Sequence, residues 1–431
     1  MLLLASLLWV APDMRYIQNG QLRLGVDLAK GGAITYLSKV GGPNMVNDFD
    51  LGRQIQMSYY SGPVPFTPGG KQPQRAWVGL GWNPIQSGDC FGHPAKTIEF
   101  KSGATWLHLK SIPMQWPLDN EPGECVFESW IELDGNKVKV RNEIENHRSD
   151  HTQYPARTQE LPAIYTNAPW YKLVTYAGER PFTNEPTQVI PQHPWDERGP
   201  WSSWQATESW AALLNDANEG IGVFAPAIQS FSGGFAGKPG IGGSSDSPTG
   251  YIAPNSNEIL DWNSSFQSRY VLIVGNLDQI RNYAVSRQTE SLALDFRFRG
   301  DRNHWTYVNC EDEGWPIKGV LKVKLERPDP QLIGPVGFWP ASQNGKLHIR
   351  AAFKMHDPHL QVFWSRLQEP GFSQERVIDF TVNPDGKMRD YTIDLFISPE
   401  YRGVINQIRI DPEPEGSPGD EAKIERIWLT H

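Results

Sequence analysis

Glu160 is the residue whose neighbours best suit it to exchange a proton. It stands in TQELPAIYTNAPWY, beside Leu161, Pro162 and Ile164 and shortly before Trp170 and Tyr171. Apolar surroundings disfavour the ionised carboxylate, raise its pKa and leave it a proton to donate at neutral pH. Protonating a leaving oxygen is what cleavage of a glycosidic bond requires, and a second carboxylate must then act as nucleophile or as base for water. Asp48 and Asp50 in NDFDLGRQ and Asp89 in WNPIQSGD are the candidates for that partner. Two of these have a plainer alternative: Glu160 as a structural carboxyl bonded to amides or to an arginine, and Asp50 as an ion pair with Arg53 that holds its loop.

Groups suited to a polyhydroxylated ligand lie around these carboxyls. Arg53, Gln54, Gln56, Tyr59 and Tyr60 form one set, and Trp82, Asn83 and Gln86 add an aromatic platform with amides beside it. In a strand, Gln54, Gln56 and Ser58 share one face and Arg53, Ile55, Met57 and Tyr59 the other. The Gln54 and Gln56 face is the one expected to meet ligand, because buried glutamines without partners are costly. Trp170, Tyr171, Trp195, Trp201 and Trp204 crowd a proline-rich stretch. Any one of them alone would read as core; together they predict at least one indole on which an apolar sugar face stacks. The ten histidines form no HxH or HExxH pattern, so zinc catalysis is not expected. Elimination on a uronic sugar would instead use Tyr59, Tyr165 or His147 as base, with Arg53 or Arg157 neutralising the acid.

These residues need a scaffold, and the pattern upstream of Glu160 supplies one. In FESWIELDGNKVKVRNEIEN the dipeptide Asp134-Gly135 suits a tight hairpin turn. Beyond it Val138, Val140 and Ile144 alternate with Lys137, Lys139, Arg141, Glu143 and Glu145, a strand with one wet face. Asn142 and Asn146 interrupt its apolar face and should be hydrogen-bonded. Further hairpins are expected in residues 14–42 and in SWAALLNDANEGIGVFAP, and QIRNYAVSRQ is the one helix candidate. Residues Asn184 to Ser203 and the Gly/Ser/Pro stretch Ser232 to Pro254 read as long loops, the first of them functional.

Composition agrees with an all-β chain. Its 431 residues include 17 Trp, 40 Gly and 35 Pro, which favours turns and flat aromatic faces over helix. A net charge of -9 without a Lys/Arg cluster argues against nucleic acid as a partner. Cys90, Cys125 and Cys310 are too far apart for a close-spaced zinc motif, and read as three buried thiols or as one Cys90 to Cys125 disulfide with one thiol left over. The opening MLLLASLLWVAP is too short to span a bilayer. It looks like a secretory h-region without its positive flank, so residues 1–13 are assigned as a signal segment and the protein is expected to be secreted or periplasmic. No other stretch could cross a membrane. A boundary is placed near FRFRGDRN, giving a domain at 14–301 and a second at 302–431. The second holds seven short alternating strands from GVLKVKL to KIERIWL, the pattern of a β-sandwich.

The ribbon LDGNKVKVRNEIEN, the Glu160-Leu161-Pro162 step and the later SWAALLNDANEGIGVFAP hairpin resemble the galactose-mutarotase-like supersandwich of carbohydrate-active enzymes. The C-terminal LQVFWSRLQEPGFSQERVIDFTVNPDGKMRDYTIDL and GVINQIRIDP look like the jelly-roll modules attached to glycan-degrading enzymes. The resemblance implies a large antiparallel supersandwich that binds sugar in a concave face, followed by a smaller jelly roll that holds glycan or braces its neighbour. The function expected is a monomeric glycoside hydrolase acting on a poly- or oligosaccharide, with a polysaccharide lyase or a non-catalytic glycan-binding protein as alternatives. No cofactor is expected beyond a structural calcium ion at an acidic loop of the second domain.

Overall fold

The computed structural model describes residues 13–193 and 199–431. The signal assignment and Trp195 therefore lie outside the described residues, the former in all but residue 13. Backbone contacts divide the chain into two compact units. The first comprises residues 1–150, 158–255 and 262–289, and the second 151–157, 256–261 and 290–431. Among the described residues no helix is long and apolar enough to cross a membrane.

The first unit is built on two large antiparallel sheets. One has nine strands, among them the ribbon expected from the sequence, Cys125–Asp134 paired to Lys137–Asn146. Gly135 takes φ 60° at the turn, where a side chain would be strained. Lys137–Asn146 pairs on its other edge with Ser265–Asn276. The other sheet orders Met14–Gln18, Leu22–Asp27, Ala33–Lys39, Ile55–Ser58, Arg157–Asn167, Thr249–Glu258, Ser230–Ala236 and Trp201–Gln205 as neighbours. Alternation explains the core: Ile131, Val138, Val140, Leu272 and Val223 from one sheet meet Leu24, Ile34, Ile55, Ile164 and Ile252 from the other. The two asparagines on the ribbon are each hydrogen-bonded, Ser129 Oγ donating to Asn142 Oδ1 at 2.8 Å and Asn146 Nδ2 donating to Ser264 Oγ at 3.0 Å, while the buried Asn146 Oδ1 has no partner. The helix candidate is Leu277–Val285, opened by a reciprocal cap between Asn276 and Gln279.

Two loop expectations are corrected: Asn184 to Ser203 holds the short strand Gln188–Val189 and the start of Trp201–Gln205. Ser232 to Pro254 is not a loop throughout, because Ser230–Ala236 and Thr249–Glu258 are paired strands at its two ends. Glycine is tolerated in the first of them where neighbouring groups press on the backbone: a Cβ at Gly234 would stand 2.4 Å from the carbonyl oxygen of Pro200. The three cysteines are free thiols, Cys125 buried and the other two half-buried.

The second unit is a sandwich of two six-stranded antiparallel sheets. Leu347, Ile349 and Ala351 turn inward from Lys346–Lys354 and meet Trp305, Trp339, Phe353 and Trp364 in its core, while Lys346, His348 and Arg350 face outward. The short strand Asp295–Arg297 pairs with the last strand, Glu421–Thr430.

Candidate functional site

Glu160 reaches its position through a bulge. It lies opposite Ser58, yet the next aligned pair is Ala163 with Gln56, so three steps along Arg157–Asn167 match two along Ile55–Ser58. Leu161-Pro162 takes up the extra residue, at a place where proline's missing N–H removes nothing from the ladder. Without the bulge Glu160 and Ala163 would point to opposite faces; with it both join Tyr251 on the face turned away from the core.

The carboxyl of Glu160 is closely held. Tyr251 Oη donates to Oε1 at 2.5 Å and Tyr60 Oη donates to Oε2 at 3.1 Å. Ser58 Oγ donates in turn to Tyr60 Oη at 3.0 Å. Burial raises the pKa of Glu160 and outweighs the hydrogen bonds from Tyr251, Ser58 and Tyr60, which lower it. Tyr60 is fixed by Gln159, whose side chain accepts from the Tyr60 N–H at 2.8 Å and donates to its carbonyl at 2.9 Å.

Beside the carboxyl runs a row of rings. Tyr165 and Tyr251 have centroids 4.9 Å apart, and Tyr251 and Trp201 4.8 Å apart. Tyr251 is buried, whereas Tyr165 and Trp201 keep part of their surface open. Gly234 is the common register partner of Trp201 and Tyr251, and a Cβ there would come within 3.3 Å of the indole.

The three aspartates differ in what they hold. Asp48 accepts from Lys30 Nζ at 2.7 Å on both oxygens and from Gln54 Nε2 at 2.7 Å, and burial lifts its pKa. Asp89 is 1% exposed and accepts from the N–H groups of Phe91, His93 and Asn120 at 2.8 to 2.9 Å, so its carboxylate ties together two loops. Asp89, His93 and Asp119 bring ligand atoms within 4.8 Å of one another, but His93 Nδ1 already lies 2.9 Å from Asp89. Asp50 is more open: Oδ1 accepts from the Gly52 N–H at 2.9 Å and Oδ2 faces Arg53 Nε at 3.3 Å. After burial, the charges of Glu160 and then Asp50 hold the Tyr165 phenol above its usual pKa, so both carboxylates act on that ring.

The remaining sequence candidates separate by role. Gln54 and Gln56 share the Glu160 side of the sheet but are buried under their own loops. Ser87 Oγ donates to both amide oxygens, at 2.8 and 2.6 Å, and Gln56 Nε2 donates to Gln54 Oε1 at 3.1 Å. Arg53 donates to the carbonyl of Ser247 and lies 4.8 Å from the centre of the Phe49 ring. Tyr59 points into the core against Phe127 and Phe266. Trp82 is fully buried beneath the Arg148 guanidinium, 5.0 Å away. Asn83 Nδ2 donates to the Tyr59 carbonyl at 2.8 Å, and Gln86 bridges the Met57 N–H and the Gly31 carbonyl. Trp170 belongs to the core, Tyr171 donates to Asp216 at 2.6 Å, and Trp204 stacks on Phe231 at 6.0 Å. Tyr251 was missed because it lies in the stretch read as a loop. The alternation in TGYIAP, with Tyr251 and Ala253 on one side of Ile252, was the signal available.

No protein-family model and no curated protein matches this sequence. Among solved structures the chain is similar to a proposed aldose 1-epimerase from Escherichia coli K12, at 12% identity over 62% of this chain and 100% of that one, TM-score 0.38. It is also similar to a galactose mutarotase-like protein from Lactobacillus casei ATCC 334, at 12% identity over 61% and 99%, TM-score 0.39. A low-affinity xylan-binding module from Roseburia intestinalis matches at 11% identity over 31% and 92%, TM-score 0.23. Likenesses this distant describe a strand arrangement, and no chemistry is taken from them.

Proposed function

We propose that this protein is a carbohydrate-active enzyme that cleaves a glycosidic bond outside the cytoplasm, with Glu160 as its general acid. The observation that carries the reading is the Glu160 carboxyl, raised in pKa by burial and positioned by Tyr251 and Tyr60 beside the row Tyr165, Tyr251 and Trp201. A sugar ring laid on the open surface of Trp201 or Tyr165 would bring a bridging oxygen towards the carboxyl. Glu160 then gives its proton to the departing oxygen. Asp50 is the second carboxylate, because it keeps open surface and acts on the same Tyr165, whereas Asp48 and Asp89 are committed to Lys30 and to loop amides.

A binding protein without catalysis is the second reading, favoured by the two tyrosine hydroxyls already directed at Glu160. Elimination on a uronic sugar has less support, since Arg53 is engaged by Asp50 and the Ser247 carbonyl. Incubation with a panel of neutral and uronic polysaccharides separates the three. Release of reducing ends, lost in Glu160→Gln, supports hydrolysis. Binding with no product supports the second reading, and a conjugated product absorbing in the ultraviolet overturns hydrolysis in favour of elimination.

A further inference from the structure

The sheet that carries Glu160 extends to both sides of it. From Arg157–Asn167 the strand order runs one way through Thr249–Glu258 and Ser230–Ala236 to Trp201–Gln205, which brings Tyr251 and Trp201. It runs the other way to Ile55–Ser58 and then, where Ser58 lies opposite Ile85, to the short strands Pro84–Ile85 and Met114–Gln115. Trp116 follows at once. Three strand steps lead from the Glu160 strand to either end, ~14 Å each way at ~4.8 Å a step.

Trp116 stands on the face that Glu160 occupies. Gln54 and Gln56, on that face, donate from Nε2 to the carbonyls of Asp50 and Leu51 at 2.5 and 3.3 Å, so the turn 50–52 lies over them. A Cβ on Gly52 in this turn would stand 2.9 Å from Cη2 of Trp116 and 3.2 Å from Oδ1 of Asp50. The indole edge and the carboxylate therefore flank one glycine. Trp116 is half-buried, and Trp77 continues outward from it with ring centroids 5.9 Å apart at 64°. Trp77 is 39% exposed on the helical turn Arg75–Leu80, whose entry is tied down where the Gln74 N–H donates to the Pro117 carbonyl at 2.8 Å. A fixed indole with an open face beside a carboxylate suits the apolar side of a sugar ring.

We propose that Trp116 and Trp77 form a second sugar platform across Asp50 from Tyr165, Tyr251 and Trp201, so that a glycan chain lies over the carboxyls, is held on both sides and is cut within its length. The place of the cut rests on the reading of Glu160 and Asp50; the platform rests on the sheet order and on Gly52. The substrate is then a stretch of polymer, since a site gripping one side alone would take chain ends. Glu160 protonates the departing oxygen as its bond to the anomeric carbon breaks, that carbon takes the hydroxyl of a water molecule, and the water's remaining proton returns to the carboxyl pair.

Affinity electrophoresis of the full chain in gels holding xylan, glucomannan, galactan or polygalacturonate tests the platform without turnover. Trp77→Ala is expected to bind the retaining polymer about tenfold more weakly, with its unfolding midpoint in place. Trp116→Phe should weaken binding in the same direction, and Trp106→Ala, which removes an indole 47% exposed on the other sheet, should bind like wild type. On a polymer that is cleaved, viscosity should fall well before reducing ends accumulate. Unchanged binding in Trp77→Ala and Trp116→Phe, or an equal loss in Trp106→Ala, overturns the proposal and leaves the Glu160 reading standing; so does release of single sugars from the outset. Weaker binding in Trp77→Ala with no product from wild type supports the platform and overturns hydrolysis instead. Retention of wild type by none of the four polymers overturns the platform.

Discussion

The Tyr251 hydroxyl donates to Oε1 of Glu160 at 2.5 Å, joining two neighbouring strands on the outer face of one sheet. The contact exists because a bulge at Leu161-Pro162 turns Glu160 to the side that Tyr251 occupies. A hydrogen bond donated to a carboxylate favours its ionised form, so Tyr251 and Tyr60 restrain a pKa that burial drives upward. Tyr251→Phe should therefore raise the Glu160 pKa further. Because the acid works when protonated, the alkaline limb of kcat/KM should move to higher pH, with Tyr60→Phe giving a smaller shift in the same direction. An unmoved limb would show that Glu160 does not set it.

Gly234 lies between Trp201 and Tyr251 in register. Gly234→Ala places a methyl 2.4 Å from the Pro200 carbonyl oxygen and 3.3 Å from the indole. A cost of about 1–3 kcal/mol in denaturant unfolding is expected. Glycan affinity should fall further than in a surface control of equal stability, because the displaced ring is part of the proposed platform.

Asp89 and Asp50 should separate under mutation. Asp89→Ala leaves three backbone N–H groups without their acceptor and should lower stability by about 2–4 kcal/mol. Asp50→Asn retains shape and one hydrogen bond, so stability should change little while turnover falls by a factor of about 100 or more. Calorimetry beside a reducing-end assay reads both. Full activity in Asp50→Asn removes it from the chemistry.

In the second unit the Glu258 carboxylate, 2.5 Å from His304 Nδ1, raises the His304 pKa to about 9. The folded state thus holds a proton that the unfolded chain releases near its ordinary value of about 6.5. The pair's contribution is complete below about pH 6.5 and is lost as pH rises towards about 9. With the imidazole 38% exposed, solvent screening limits the loss to about 1 kcal/mol. Urea unfolding at about pH 6 and about pH 10 should show this drop in wild type and a smaller one in His304→Gln.

Period-two alternation with turn dipeptides carried most of the fold, as in Val138, Val140 and Ile144 beyond Asp134-Gly135 or Leu347 and Ile349 between charged neighbours. Where glycine replaced the alternating side chain, as at Gly233 and Gly234, the same reading mistook a strand for a loop and hid Tyr251. Glu160 was legible from its apolar neighbours, but its two tyrosines, Tyr60 just past the Ile55–Ser58 strand and Tyr251 in Thr249–Glu258, lie 100 and 91 residues away. Gln54, Gln56, Asn83 and Gln86 read as ligand groups because their types suit sugars. Sequence could not show that Ser87, Met57, Tyr59 and Gly31 would occupy them. The return of residues 151–157 and 256–261 to the second unit is likewise a tertiary matter that local pattern does not encode.

The measurement that bears most directly on the central claim is reducing-end release from the polysaccharide panel by wild type and Glu160→Gln, at matched folded concentration across pH. Wild type should release product, and Glu160→Gln should be slower by a factor of about 100 to 10,000, with glycan binding retained. Equal rates in the two proteins would contradict the assignment of Glu160 as the proton donor.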